Sequence, residues 1–184
     1  MENLVLPISQ FFDNRLTDKN DIHSYCPVYE TILKSVMSKK KSITLLEIGI
    51  QRQGSVAAWT KCLPTSKIIG VDCQKPENSY KHPNYTEIIC NAYSEKFFNI
   101  VNPGSIDVLV EDGSHSFQDL MFVCKYYPRL LTPGGILIIE DIPDMSWISE
   151  LQSTLPPGWL AQVLDRRAIK NRWDDVMLVI TKLV

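Results

Sequence analysis

The sequence has no excess of positively charged residues. Its 19 Lys and Arg residues stand against 21 Asp and Glu residues, which leaves a formal net charge of -2. A protein that binds nucleic acid or a membrane surface through charge needs a concentrated positive field. We therefore expect neither a nucleic acid nor a membrane as a partner.

The sequence also lacks paired cysteines and long apolar runs. Its five cysteines are an odd number, widely spaced and without a Cys-x-x-Cys pair, which argues against zinc and thioredoxin-type sites. Scattered cysteines in apolar segments behave as small hydrophobic residues and indicate a reducing compartment. No apolar run reaches the roughly 20 residues of a membrane-spanning helix, and the N-terminus lacks the basic region of a secretory signal. These absences predict a cytoplasmic protein.

The 184 residues suffice for one domain with a two-sided core, so we predict a single domain over 1–184 in which residues 1–26 form an arm or lid. A helix is predicted from Pro27 to Met37. Short apolar strands then alternate with helical segments, a pattern that predicts a parallel sheet covered on both faces. The predicted strands are Ile43–Ile48, Lys67–Val71, Tyr85–Ile89, Ile106–Val110 and Ile136–Ile139.

The C-terminal part has a different pattern. Two strand-like runs, Trp159–Arg166 and Val176–Val184, are joined by a polar turn that leaves no room for a helix and predict an antiparallel hairpin. Helices are expected at Phe117–Leu131 and from a Ser55 cap to Leu63. The expected fold is therefore α/β, with a mostly parallel seven-stranded sheet that ends in an antiparallel hairpin.

Ligands of such sheets bind beyond the carboxyl ends of the strands, where polar residues recur in this sequence. A phosphate-binding loop is excluded because Ser55 follows Gly54 directly, with no lysine between them, and a dinucleotide fingerprint is excluded because residue 51 is Gln. Asp72, after the second strand, is placed to accept hydrogen bonds from both hydroxyls of a ribose. The pattern fits an adenosine without a phosphate tail, as in S-adenosylmethionine. The candidate cofactor-binding residues are Glu47, Gly49, Gly54, Ser55, Asp72, Asn91, Ala92 and Asp112.

Acidic residues follow the fourth and fifth strands, at Asp112 and at Glu140-Asp141. Three converging carboxylates repel one another unless a cation lies between them, and oxygen ligands select a hard ion such as Mg²⁺. His115, three residues after Asp112, is a candidate general base. We therefore predict Asp112, Glu140 and Asp141 as metal ligands and His115 and Asp112 as catalytic residues. The alternatives left open are a structural histidine and an acidic pair that caps a helix.

Four segments carry a resemblance to a known family: LLEIGIQRQGS, IIGVDC, IDVLVEDGSH and LLTPGGILIIEDI. They resemble the metal-dependent sugar O-methyltransferases of the macrocin O-methyltransferase and cephalosporin-hydroxylase-like superfamily, over roughly Thr17 to Val184. The resemblance implies a Rossmann-like class I methyltransferase fold with S-adenosylmethionine as cofactor. It also implies Mg²⁺ at Asp112, Glu140 and Asp141 and a catalytic histidine at His115.

The segment Thr17-Asp18-Lys19 with His23 and Tyr25 resembles the start of short members of this superfamily, which implies that it folds over the cofactor or substrate. Arg166 matches a hairpin pattern in the same proteins. His23, Tyr25 and Arg166 are therefore candidate substrate contacts, against the alternatives of local packing and an exposed strand arginine.

The sequence departs from the family pattern in two ways, and each affects which family properties can be expected of this chain. Asn91-Ala92 stands where the family often has an acid followed by another polar residue, which puts adenine recognition in doubt. The chain is also shorter than the antibiotic-tailoring members, so a homo-oligomer is left open.

The leading hypothesis is an O-methyltransferase for a hydroxyl of a sugar, nucleotide-sugar or glycoside. Two alternatives stay open: an N-methyltransferase on an amino sugar, and a methyltransferase-like protein that binds the cofactor without turnover. A NAD-dependent enzyme is disfavoured, because its fingerprint lacks the glycine at residue 51 and a Tyr-x-x-x-Lys pair is missing.

Overall fold

The structure, a computed structural model, describes residues 3–76 and 79–182. Its centre is a seven-stranded sheet in the order β3-β2-β1-β4-β5-β7-β6. The first five strands are parallel, and β7 lies antiparallel between β5 and β6. The strands are β1 (Thr44–Ile48), β2 (Lys67–Asp72), β3 (Tyr85–Ile89), β4 (Ile106–Glu111), β5 (Leu131–Ile139), β6 (Trp159–Asp165) and β7 (Val176–Lys182). The predicted mostly parallel sheet with its C-terminal hairpin is confirmed. Residues 183 and 184 of the predicted last strand lie outside the described residues.

Five α-helices accompany the sheet within the described ranges: α1 (Cys26–Met37), α2 (Gly54–Cys62), α3 (Phe117–Tyr126), α4 (Ile148–Thr154) and α5 (Arg167–Lys170). The predicted helix Phe117–Leu131 is shorter than expected, because Tyr127–Leu130 form a 3₁₀ turn and Leu131 begins β5. Pro128 has no backbone N–H with which to continue an α-helix. None of the helices in these ranges has the length and apolar character needed to cross a membrane.

Two local predictions are wrong. Ser55 does not cap α2; the N-cap is Gln53 at φ 60°, and the Ser55 hydroxyl donates to Glu47 instead. The connection between β6 and β7 does contain a helix, the single turn α5, which ends at Asn171 in the left-handed region. Helix α4 was not predicted from its sequence.

The core has two layers because the central strands are buried on both faces. Alternate β1 residues point to opposite sides, so Leu45 packs with α1 and α2 while Leu46 and Ile48 pack with α3 and α4. Burial on both faces is typical of parallel sheets between helices. The helices predicted on both faces are therefore present.

The described part of the N-terminal segment, residues 3–25, is packed into the domain. Ile8 and Phe12 are buried, and the Phe12 ring meets the Trp59 ring edge-on at 4.9 Å. The chain then crosses α2 so closely that a Cβ on Gly54 would lie 2.5 Å from the Leu16 carbonyl oxygen. The segment predicted as an arm or lid is thus anchored in the core by a few buried side chains, while others such as Arg15 and Asp21 are exposed. Residues 1 and 2 lie outside the described part.

Candidate active site

The strand order changes direction between β1 and β4, where an open α/β sheet forms its ligand-binding crevice. A cavity of about 380 Å³ lies at this point, beside a second cavity of about 240 Å³. Asp18, Gly49, Gln51 and Asp112 line both cavities, so the two adjoin. The larger cavity is lined by Asp18, Ile48, Gly49, Gln51, Asp72, Cys73, Ala92, Tyr93, Asp112, Gly113, Ser114, His115 and Asp141.

Gly49 allows the turns after β1 and β4 to touch. Its φ is +83°, and a Cβ there would lie 1.9 Å from the carbonyl oxygen of Asp112. The Asp112 N–H in turn donates to the Ile48 carbonyl at 2.9 Å. A side chain at residue 49 would force these turns apart and displace Asp112.

Asp72 stabilises the glycine turn, which is formed by residues 49–55 after β1, and it borders the larger cavity. Its Oδ2 accepts hydrogen bonds from the backbone N–H groups of Ile50 and Gln51, each at 3.1 Å. Ala92 lines the same cavity. The exposed Asn91 side chain accepts from the Tyr93 N–H at 2.9 Å and is not among the residues that line the cavity.

Glu47 and Gly54 lie beneath the turn and line neither cavity. The carboxylate of Glu47 is fully buried and accepts from Ser55 Oγ at 2.8 Å and from Trp59 Nε1 at 3.0 Å. Ser55 itself lines the smaller cavity. Of the predicted cofactor-binding residues, Glu47 and Gly54 therefore shape the turn, whereas Gly49, Ser55, Asp72, Ala92 and Asp112 border the space.

The acidic residues after β4 and β5 face two different partners. Asp112, His115 and Asp141 have ligand atoms that all lie within 4.8 Å of one another. His115 Nε2 is 3.7 Å from Asp112 Oδ1 and 3.9 Å from Asp141 Oδ2. Two carboxylates and one imidazole are a donor set that a divalent cation can use, with oxygen atoms in the majority as Mg²⁺ prefers.

Glu140, the third predicted metal ligand, turns away from this group. Its Oε2 accepts from the ammonium of Lys19 at 2.5 Å, and its Oε1 has no hydrogen-bond partner. Glu140 directly follows β5, and its N–H still donates to the Glu111 carbonyl at 3.0 Å. Asp141 then has a left-handed φ of 51° and reaches the cavity. Its ligand role and that of Glu140 remain predictions.

Lys19 was not predicted to be part of the site. Its side chain is 1% exposed, and its ammonium also lies 2.5 Å from Asp112 Oδ2 and 3.5 Å from Glu47 Oε1. The available signal in the sequence was the surplus of carboxylates at one sheet edge, which requires a cation. The position of that cation 93 residues before Asp112 in the chain could not be read from local pattern.

The predicted substrate contacts lie behind Asp141 rather than in the cavities. The Tyr25 hydroxyl donates to Asp141, and His23 Nδ1 lies 3.4 Å from Asp141 Oδ1, with both side chains at most 1% exposed. Arg166 is half-buried, and its Nε donates to the carbonyl and hydroxyl of Ser24 at 3.0 and 2.9 Å. None of these three predicted contacts lines either cavity, so they support the site from outside.

Burial dominates the electrostatics of the site. It raises the pKa of Glu47 to about 7 and that of Glu140 to about 8, against the opposing effect of Lys19. Burial and the neighbouring Asp112 raise the pKa of Asp141. Burial alone would lower the pKa of Lys19, but Asp112, Glu140 and Glu47 together raise it well above its usual value. The crevice therefore favours bound positive charge.

The fold is that of class I methyltransferases. The MycE methyltransferase from the mycinamycin biosynthetic pathway, in complex with Mg and SAH, superimposes with a TM-score of 0.71 at 17% identity, over 96% of this chain and 54% of that one. Its complex with Mg, SAH and mycinamycin VI gives a TM-score of 0.63 at 21% identity, over 73% of this chain and 38% of that one. The predicted class I methyltransferase fold is confirmed.

Two curated proteins are similar to this chain in sequence, and one of them is a sugar O-methyltransferase. The 8-demethyl-8-alpha-L-rhamnosyl tetracenomycin-C 2'-O-methyltransferase of Streptomyces olivaceus is 25% identical over 140 residues, covering 71% of this chain and 36% of the relative. The uncharacterized protein R132 of Acanthamoeba polyphaga mimivirus is 27% identical over 123 residues, covering 59% of this chain and 56% of the relative. The predicted resemblance to sugar O-methyltransferases is thereby confirmed, although the chain spans only about a third to just over half the length of these relatives. No family model matches the chain.

Proposed function

We propose that the protein is an S-adenosylmethionine-dependent, Mg²⁺-dependent O-methyltransferase that acts on a hydroxyl group of a sugar, nucleotide-sugar or glycoside. The observation that carries the proposal is the meeting of two adjoining cavities at Asp112, where His115 and Asp141 also converge. The tetracenomycin 2'-O-methyltransferase and the MycE complexes with Mg and SAH support it.

The two cavities would take the two halves of the cofactor. Asp72 and Ala92 border the larger cavity and would contact the adenosine, with the Asp72 carboxylate accepting from the ribose hydroxyls. Leu16, Thr17 and Ser55 border the smaller cavity and would contact the methionine part. The surplus of carboxylates between them favours the positive charges of the ammonium and sulfonium groups.

The residues of the crevice have separable tasks in methyl transfer. Asp112 and Asp141 would hold the divalent cation, which when bound supplies Lewis-acid chemistry that lowers the pKa of the acceptor hydroxyl. His115, 32% exposed at the cavity wall, takes the hydroxyl proton as the acceptor oxygen forms its bond to the methyl carbon and the bond from that carbon to the sulfonium sulfur breaks. The crevice would align the acceptor oxygen, the methyl carbon and the sulfonium sulfur, and this alignment would account for much of the rate enhancement.

Calorimetry with S-adenosylmethionine tests the proposal directly. The folded protein is expected to bind the cofactor, and Asp72→Ala is expected to weaken binding about tenfold or more, since a charge-assisted hydrogen bond contributes roughly 1.5–3 kcal/mol. Asp165→Ala serves as the control, because among the described residues this exposed carboxylate of the edge strand β6 hydrogen-bonds with Arg167 alone. If the folded wild-type protein does not bind S-adenosylmethionine at high micromolar concentrations, the proposal is contradicted.

Asp141→Asn tests the metal. Removing one of two carboxylate ligands is expected to weaken Mn²⁺ or Mg²⁺ binding by at least the roughly 10- to 100-fold that is lost when a hydrogen-bond partner of a metal ligand is changed. Titration followed by Mn²⁺ electron paramagnetic resonance measures the affinity without any acceptor. Asp144→Asn, an exposed acid three residues further along that accepts from the Ser146 N–H, should bind like the wild type. If Asp141→Asn and the wild type bind Mn²⁺ with equal affinity, Asp141 is not a metal ligand.

A further inference from the structure

The side chain of Lys19 occupies the centre of the carboxylate cluster. Its ammonium donates to Asp112 Oδ2 and Glu140 Oε2, each at 2.5 Å, and lies 3.5 Å from Glu47 Oε1. The side chain is 1% exposed, so water cannot take over these contacts. A buried ammonium persists only when charged partners surround it.

The ammonium of Lys19 uses one oxygen of Asp112 and leaves the other free. Oδ2 is bound to Lys19, whereas Oδ1 faces His115 Nε2 at 3.7 Å, on the side where Asp141 also converges. The two oxygens of one carboxylate therefore serve two sites. A cation held beside His115 and Asp141 would have Oδ1 of Asp112 as its available ligand atom on this carboxylate.

Glu140 is held by the same ammonium and does not belong to the group formed by Asp112, His115 and Asp141. Without Lys19, three carboxylates would face one another in a buried gap, those of Glu47, Asp112 and Glu140. Such a gap is itself attractive to a divalent cation. The ammonium fills this gap and offsets part of its negative charge.

The backbone of the N-terminal segment directs Lys19 into the gap. The Lys19 carbonyl accepts from the Tyr25 N–H at 3.2 Å, and the neighbouring Asp18 carbonyl accepts from the His23 N–H at 2.9 Å. These bonds close a loop immediately before α1. The close crossing of Leu16 over Gly54 fixes the other end of the loop.

We propose that Lys19 is a positioning residue of the methyltransferase site, which orients Asp112 and confines the divalent cation to the side of Asp112, His115 and Asp141. This inference rests on the proposed function and names a residue of that site. Glu140 then balances the charge of Lys19 and is not a metal ligand.

The test compares Lys19→Met with wild type in the full-length protein, with Mn²⁺ and Mg²⁺ as probes. We expect the Lys19→Met variant to bind the cation in the vacated gap. The rise of its Tm on addition of Mg²⁺ should then exceed that of the wild type, and its Mn²⁺ resonance spectrum should change. Adding Glu140→Gln to Lys19→Met should abolish the additional rise. Lys34→Met is the control, because Lys34 is an exposed residue of α1 paired with Glu30.

Glu140→Gln alone keeps the proposal testable if Lys19→Met does not fold. It leaves Lys19 in place, and its Mn²⁺ affinity is expected to stay within about threefold of the wild type, whereas loss of a ligand should cost at least the roughly 10- to 100-fold that changing a direct hydrogen-bond partner of a ligand costs. A loss of that size would make Glu140 a ligand and overturn the proposal. So would a Lys19→Met variant with the Mn²⁺ spectrum and Mg²⁺ response of the wild type. A wild-type protein that binds no Mn²⁺ at all would instead overturn the proposed metal dependence.

Discussion

Replacing His115 by alanine is expected to lower turnover by about 10²- to 10⁴-fold, the usual contribution of a general base. The affinity for S-adenosylmethionine should stay nearly unchanged, because His115 borders one wall of the larger cavity while Asp72 and the glycine turn lie elsewhere on it. The left-handed φ of 52° at His115 aims its ring towards Asp112 and Asp141. A loss in kcat without a loss in cofactor binding is the mark of an interaction made in the transition state.

The measurement uses methyl-labelled S-adenosylmethionine and a panel of nucleotide-sugars, methyl glycosides and amino sugars, with products identified by mass spectrometry. Transfer to a hydroxyl oxygen is expected, and transfer to nitrogen would assign the N-methyltransferase alternative. His82→Ala is the matched control, because the His82 side chain accepts from the Asn84 N–H at 3.2 Å, just before β3 and away from the carboxyl ends of the strands. Wild-type turnover in His115→Ala would exclude a catalytic role.

A metal titration separates the two roles that the geometry allows for His115. If the imidazole acts as the base, Mn²⁺ affinity in His115→Ala should remain close to that of the wild type. If Nε2 instead ligates the cation beside Asp112 Oδ1 and Asp141 Oδ2, the affinity should fall together with turnover. The second outcome would reassign His115 from base to ligand.

The sheet could be predicted because its signals are local. Each parallel strand is a short apolar run that ends in a polar residue, and β1, β2 and β4 stop within two residues of their predicted ends. Because the carboxyl ends of parallel strands lie at one edge of the sheet, the predicted strands alone indicate which edge carries the site. Asp72, Asp112 and Asp141 could therefore be named from sequence, and they line the larger cavity.

The direction in which each side chain points could not be predicted in the same way. Glu140 and Asp141 are adjacent in sequence, yet the first faces Lys19 and the second faces His115. His23 and Tyr25 were expected at the substrate, but they are buried behind Asp141, because the N-terminal segment enters the core. These positions depend on contacts between residues more than 100 apart in the chain, which leave no periodic signal.

Glu111 gives the stability of the protein a distinctive pH dependence. Its carboxylate is fully buried and accepts from the Tyr93 hydroxyl at 2.5 Å and from the Gly113 N–H at 3.1 Å, while Oε2 has no partner. Burial raises the pKa of this group from 4.5 to about 7, against the opposing effects of Tyr93 and His115. The folded protein therefore retains a proton that the unfolded chain has already released.

The sign of the effect follows from this difference in bound protons. Between pH 4.5 and about 7 the unfolded state binds fewer protons at Glu111 than the folded state, so the free energy of unfolding falls as the pH rises. Each pH unit costs roughly 1.4 kcal/mol, so the whole window costs about 3 kcal/mol. Above this window both states are ionised, and the cost stays constant. The buried Glu47 has a pKa of about 7 for the same reason and adds a slope of the same sign.

Glu111→Gln is expected to remove the contribution of Glu111 and to leave that of Glu47. Relative to the wild type, the variant should gain about 3 kcal/mol in free energy of unfolding between pH 4.5 and pH 8. Urea unfolding at several pH values measures this gain, and only its change with pH is used, because the amide also alters the hydrogen bonds to Tyr93 and Gly113. Glu150→Gln on the exposed side of α4 should show no such change. A difference between Glu111→Gln and wild type that is independent of pH would mean that Glu111 is already ionised in the folded protein at pH 5, held so by its two donors.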